Sequence, residues 1–172
     1  MKTYIEIQGT IYFDPPDATK KHERQSPWKR IAMVMLDGGT ELTSYYAWFI
    51  EKRYGVRLNK TLRGAHISFI NDHIKDISGS NDFQKQALWE KIRNKYNKTR
   101  ITITVDVDAR TNGNHWWFII PEEHRKELHG IREELGLSRP KHGLHMTIGY
   151  PNEHNLDHSR YIHNLLDKSY SY

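Results

Sequence analysis

The chain repeats one order of predicted elements, namely two strands, a helix and a third strand. Period-two alternation of apolar and polar residues, or a short apolar run, marks each strand. The predicted strands are residues 3–13, 31–36 and 63–70 in the first unit and residues 100–108, 115–120 and 143–150 in the second. Helical spacing predicts a helix inside each unit, starting near Thr40 and Pro121, and a helix after each unit, at residues 82–96 and 156–166. This duplication restricts the chain to an α+β fold built from two similar halves.

Length and composition indicate the number of domains, the cellular compartment and the charge of the expected ligand. The 172 residues suit a single domain over residues 1–172. There is no cysteine, and no apolar stretch approaches the roughly 20 residues that span a bilayer. We therefore expect a cytoplasmic protein without a membrane association and without an obligate protein partner. The net charge of +5 favours an anionic ligand, because a positive surface potential concentrates phosphates.

The last strand of each unit carries a histidine followed two residues later by a hydroxyl. The pairs are His66 with Ser68, and His145 with Thr147. Residues two apart in a strand point to the same face of the sheet, so each imidazole projects beside its hydroxyl. The residues of opposite parity are apolar and are expected to pack under the helices: Ile67, Phe69, Met146, Ile148 and Tyr150.

An imidazole beside a hydroxyl is suited to phosphate chemistry. The hydroxyl can donate to a phosphoryl oxygen, and a hydrogen bond to a charged group contributes about 1.5–3 kcal/mol. The imidazole exchanges protons near neutrality, because its unperturbed pKa is about 6.5. Two such pairs at one cleft supply a base on one side of phosphorus and an acid on the other, so no metal or cofactor is predicted. One His-x-Ser/Thr triplet means little in a chain with 11 histidines, whereas two at corresponding ends of two units are specific.

The two motifs in duplicated units resemble the 2H phosphoesterases, a superfamily that includes RNA 2′,3′-cyclic phosphodiesterases and ligase-like enzymes. The resemblance implies a bilobed fold, in which two antiparallel sheets line a central cleft and the helices lie outside. It implies His66 and His145 as the catalytic acid and base, and leaves either histidine as the base. It also implies Ser68 and Thr147 as phosphate ligands.

The flank at residues 62–68 and the small size are most similar to the phage anti-CBASS phosphodiesterases. That resemblance implies a phosphodiesterase acting on cyclic di- or trinucleotide immune signals in the host cytoplasm, where attack by a ribose 2′-hydroxyl opens the ring. An RNA 2′,3′-cyclic phosphodiesterase or RNA end-processing enzyme of the same superfamily is one alternative. A non-catalytic module that binds a nucleotide is another.

Four further residues are predicted to contact the substrate, with ordinary surface or packing roles as the alternatives. Tyr12 lies on the polar face of the first strand, and Trp117 is predicted to face outward. Either ring could stack on a base, an interaction of about 1–3 kcal/mol per base. Gly149 shares the face of Thr147 and lets a ligand approach the backbone. Lys141 precedes the second motif and is a candidate charge for the phosphate.

Overall fold

The computed structural model describes residues 2–15 and 28–166, which form an α+β fold. The strands are β1 (Tyr4–Phe13), β2 (Lys29–Leu36), β3 (Leu58–Asn59), β4 (His66–His73), β5 (Arg100–Thr111), β6 (Trp116–Ile119) and β7 (His145–Pro151). The helices in these ranges are α1 (Gly39–Tyr54), α2 (Asp82–Tyr96), α3 (Lys126–Glu134) and α4 (Leu156–Leu165). The predicted elements are present, but the helix expected to start near Pro121 begins at Lys126, after a 3₁₀ turn at Glu122–His124, and the two-residue strand β3 is additional. None of the described helices is both long and apolar enough to cross a membrane.

All seven strands belong to one antiparallel sheet, in the order β3-β7-β6-β5-β1-β2-β4. The prediction of two separate sheets is therefore wrong. The reason is the pairing of β1 with β5, which runs from Tyr4 opposite Asp106 to Thr10 opposite Arg100. This pairing satisfies the backbone groups that two separate sheets would have left exposed along their edges.

The strand order preserves the duplication that the sequence predicts. The two units meet where β1 pairs with β5. Going outward from that pair, the order is β1, β2 and β4 in the first unit and β5, β6 and β7 in the second, so the motif strands β4 and β7 hold corresponding places. Although β4 and β7 are far apart in the strand order, their Cα atoms approach within 8 Å of each other. The sheet must therefore curve round so that the two motif strands meet.

The helices cover the apolar side of the sheet and fix the orientation of the motif strands. Ile67, Phe69, Met146 and Ile148 are each at most 2% exposed, which confirms their predicted packing role. In contrast, Ser68 is exposed and Thr147 is half-buried. The motif residues therefore lie on the more open side of their strands.

Candidate functional site

His66 is the first residue of β4 and is only 9% exposed. Its Nδ1 lies 2.9 Å from the carbonyl oxygen of Gly64. A carbonyl oxygen only accepts, so Nδ1 must carry the proton and donate it. In the neutral ring Nε2 is then the basic nitrogen.

His145 repeats this arrangement at the start of β7. Its Nδ1 donates to the carbonyl oxygen of Gly143 at 3.0 Å. Each histidine is thus held by the glycine two positions before it, and the two rings have the same tautomer when neutral. The signal for this arrangement is a Gly-x-His-x-Ser/Thr pattern that both motifs share, which extends the predicted His-x-Ser/Thr motif by one glycine.

The glycine in the first motif is also required by the backbone. Gly64 has φ +69°, in the left-handed region, and a Cβ there would lie 3.0 Å from backbone atoms of Gly39 and Thr40. The backbone of Ala65 bonds to this same turn, with its N–H donating to the Gly39 carbonyl at 3.0 Å. The start of α1 therefore fixes the chain that leads into His66.

Tyr12 lies on the same face of the sheet as the first motif. It is opposite Met33 in the β1–β2 ladder, and Met33 is opposite Ser68 in the β2–β4 ladder. Directly opposed residues in antiparallel strands share a face, so two strand spacings, about 10 Å, separate Tyr12 from Ser68. Its ring is half-buried, and contact with a base remains a prediction.

Trp117 lies beside the second motif but is not exposed to solvent. It is opposite Thr147, and its ring centroid is 6.3 Å from that of His145. Only 1% of the residue is exposed, so the prediction that it faces outward is wrong. The ring is covered by His115, which stacks on it at 4.3 Å and 25°. The alternation of side chains along the strand correctly predicts the face on which Trp117 lies, but it does not predict that His115 covers the ring.

His115 brings a third imidazole into the site, 6.1 Å from His145 between ring centroids. Burial, followed by the charge of His145, lowers the pKa of His115 to about 4. Burial also lowers the pKa of His145, with smaller effects from His142 and Arg125, while its bond to Gly143 opposes the shift. Because burial disfavours the charged form, both rings are held toward neutrality.

We expect His115 to make the fold less stable in acid. Its folded pKa of about 4 lies below the ordinary value of 6.5, so the unfolded chain binds the proton more tightly. The contribution of the neutral His115 ring to the free energy of unfolding is complete above about pH 6.5 and is lost as the pH falls through about 4. His115→Asn should shrink the difference in unfolding free energy between about pH 7 and pH 5 by about 1 kcal/mol, allowing for partial exposure. Urea denaturation at both pH values measures this, and an unchanged difference would contradict it.

Gly149 is a packing glycine rather than an opening for a ligand. A Cβ at this position would lie 2.5 Å from the carbonyl oxygen of Asn59 and 3.0 Å from the side chain of Leu58. These residues form β3, which pairs with the end of β7. The prediction that Gly149 admits substrate is therefore wrong, because the unpredicted strand β3 fills that space.

Tyr150 also differs from its predicted place among the packed residues. It is 46% exposed, and its ring lies 6.0 Å from that of His115. The β6–β7 register shifts between Trp116, opposite Gly149, and Trp117, opposite Thr147. A bulge of this kind redirects the side chains that follow it. Tyr150 thereby extends toward solvent the aromatic cluster around the second motif, which consists of His115, Trp117, His145 and Tyr150.

We expect Gly149→Ala to destabilise the fold by about 1–3 kcal/mol, because the added methyl group overlaps β3 backbone. The matched change Gly130→Ala lies within α3, where a Cβ meets nothing within 4 Å. It should stabilise the protein by about 0.5–1 kcal/mol, since alanine is the better helix former. Thermal and urea unfolding of the two variants tests this, and equal stabilities would refute the packing role.

Arg125 is a cation at the second motif that the sequence analysis missed. Its Nε donates to the carbonyl oxygen of Ile120 at 2.6 Å, and its terminal nitrogens lie against Gly143. No local pattern distinguishes it, because its position follows from the meeting of α3 with the segment before β7. Lys141, the predicted charge, is an exposed residue of that segment, and its contact with phosphate stays a prediction.

The described site thus has two equivalent histidines, two adjacent hydroxyls and an aromatic cluster around the second motif. Within residues 2–15 and 28–166, no group of three or more histidine, cysteine, aspartate or glutamate side chains is placed to hold a metal ion. No protein-family model matches the chain, and no curated protein or solved structure is significantly similar to it.

Proposed function

We propose that the protein is a metal-independent phosphodiesterase in which His66 and His145 act as a general acid and base pair. The observation that carries the proposal is the identical anchoring of both rings through Nδ1 to a glycine carbonyl, at 2.9 and 3.0 Å. The two anchored rings lie on strands that contact each other although the sheet order separates them. Such pre-organised rings suit proton transfer, which contributes about 10²–10⁴-fold to rate.

The anchoring serves both chemical roles. The base takes the proton of a ribose 2′-hydroxyl on Nε2 while that oxygen forms its bond to phosphorus. The acid, protonated on both nitrogens, gives its Nε2 proton to the 5′-oxygen as the bond from phosphorus to that oxygen breaks. The products are a 5′-hydroxyl and a 2′,3′-cyclic phosphate, and the proton taken up by the base equals the one given by the acid. Ser68 and Thr147 are proposed to donate to the non-bridging phosphoryl oxygens.

The proposed substrates are cyclic di- and trinucleotides of bacterial immune signalling, which a phage enzyme would destroy in the host cytoplasm. The net charge of +5 supports an anionic ligand. Tyr12 on the face of the first motif and the exposed Tyr150 beside the second are aromatic surfaces at the two motifs. Aromatic surfaces suit nucleobases, because every base presents a π-face for stacking.

A product profile tests the proposal. Purified protein is incubated, with and without EDTA, with cyclic di- and trinucleotides. Separate incubations contain an RNA oligomer ending in a 2′,3′-cyclic phosphate. We expect chromatography to show linear products from at least one cyclic nucleotide, with rates that EDTA leaves unchanged. Opening of the RNA terminus alone would replace this function with RNA end processing. Saturable binding with no product from any substrate would identify a binding module instead.

A further inference from the structure

Arg125 lies between the short 3₁₀ turn at Glu122–His124 and helix α3, with its guanidinium directed to the second motif. Its Nε is anchored on the carbonyl oxygen of Ile120 at 2.6 Å. A Cβ at Gly143 would lie 2.9 and 3.0 Å from the two terminal nitrogens. Only glycine at position 143 therefore lets the guanidinium come this close to the backbone before His145.

This guanidinium has no counter-ion within the described ranges. No carboxylate oxygen of those residues lies within 4.0 Å of it, and neither terminal nitrogen donates a hydrogen bond to them. Glu122 and Glu123 act on Arg125 only from beyond that distance, and Glu122 is itself paired with Arg139 at 3.2 Å. The side chain is nevertheless half-buried, and burial lowers its pKa. Partial burial of an unpaired cation is unfavourable unless an anion joins it.

The surroundings connect Arg125 to the candidate acid or base. Charges of both signs act electrostatically on Arg125, from Arg110 and Arg139 and from Glu122 and Glu123. Arg125 in turn acts on His145. Gly143, which the guanidinium touches, also supplies the carbonyl that holds the His145 ring. An anion bound to Arg125 would therefore lie close to His145.

We infer that Arg125 is a substrate-binding residue, whose two terminal nitrogens donate to the oxygens of a phosphate group held beside His145. The inference rests on the proposed function for the identity of the substrate, a nucleotide phosphodiester. A guanidinium presents its donors in a planar fork that matches two phosphate oxygens. Because Nε of Arg125 already donates to the Ile120 carbonyl oxygen, the two terminal nitrogens are the donors that remain for the phosphate oxygens.

Inorganic phosphate is the probe that tests the inference without requiring turnover. Its dissociation constant is measured by NMR titration of the imidazole signals in the wild type, Arg125→Gln and Arg125→Lys. The control is Arg93→Gln, which removes the same charge from a half-buried arginine of α2. We expect Arg125→Gln to weaken phosphate binding by about 10- to 100-fold and Arg125→Lys by less, because a hydrogen-bonded charge is lost or misplaced. Arg93→Gln should change it by less than about twofold, since Arg93 is paired with Glu90 at 3.7 Å on a helix that carries no motif residue.

Equal phosphate affinity in the wild type and Arg125→Gln, or no saturable binding by the wild type, would overturn the inference. Thermal unfolding shows whether Arg125→Gln is folded. If it is not, Arg125→Lys decides, and an affinity equal to that of the wild type would count against bidentate binding. On a nucleotide that the wild type cleaves, Arg125→Gln should raise KM more than it lowers kcat. Phosphate binding that depends on Arg125 without cleavage of any nucleotide would refute the proposed function and leave the inference standing.

Discussion

Replacing either His66 or His145 with asparagine is expected to lower turnover of a cleaved nucleotide by at least about 100-fold. The asparagine amide nitrogen takes the approximate place of Nδ1 and can still donate to the carbonyl of Gly64 or Gly143. The change therefore removes Nε2 while it preserves the anchoring bond. Initial rates measured with saturating substrate, and unfolding temperatures measured in parallel, separate catalysis from folding.

Two further variants make the histidine result specific. His154→Asn alters an exposed histidine after β7 and should leave the rate unchanged. The double variant of His66 and His145 should be little slower than either single variant, because residues that act as a unit are not additive. Full activity in a folded single variant would end the acid and base assignment. A double variant slowed by the product of the two single effects would show that the imidazoles act independently.

Asp72→Ala is expected to lower the free energy of unfolding by about 3–5 kcal/mol, because it leaves a buried cation without its partner. That cation is Arg132 of α3, whose side chain is 4% exposed. It donates to both carboxylate oxygens of Asp72, at 2.7 and 3.1 Å, and to the Phe69 carbonyl at 2.8 Å. The two bonds to Asp72 join α3 to the strand of the first motif, so their loss weakens the link between a helix of the second unit and a strand of the first.

The control is a second arginine–aspartate pair, that of Arg100 and Asp37. It is also bidentate, but both side chains are more than half exposed. Asp37→Ala should therefore cost only about 0–1 kcal/mol. Urea denaturation of the two variants under identical conditions gives the comparison. Similar losses for the two would mean that burial does not govern the strength of the Asp72 pair.

The helices and strands of this fold were predicted well, because the spacing of apolar residues and the residues that favour turns can be read from short stretches of the sequence. The helix at Asp82–Tyr96 has its predicted bounds, and Asn81 caps it by accepting from Gln84. The alternation in the motif strands correctly separated the buried Ile67 and Met146 from the hydroxyl face. These assignments depend only on which way successive side chains point.

The errors arose where distant segments meet. Pairing between β1 and β5 joins the two predicted sheets into one, and β3 fills the space at Gly149 that the sequence predicts to be open to a ligand. His115 covered Trp117, and a register shift turned Tyr150 outward. Arg125 reached the second motif from a turn about twenty positions earlier in the chain. None of these contacts has a signature in a short window of residues.

The ladder between β1 and β5 limits how this molecule can admit a ligand. It joins seven consecutive residue pairs, from Tyr4 with Asp106 to Thr10 with Arg100. A hinge that swung the halves apart would have to break these backbone bonds, each of which is unfavourable to leave unmade. Under the proposed function, substrate entry and product exit would therefore depend on movements of side chains and connecting segments around a rigid frame, as distinct from the domain closure of hinged enzymes.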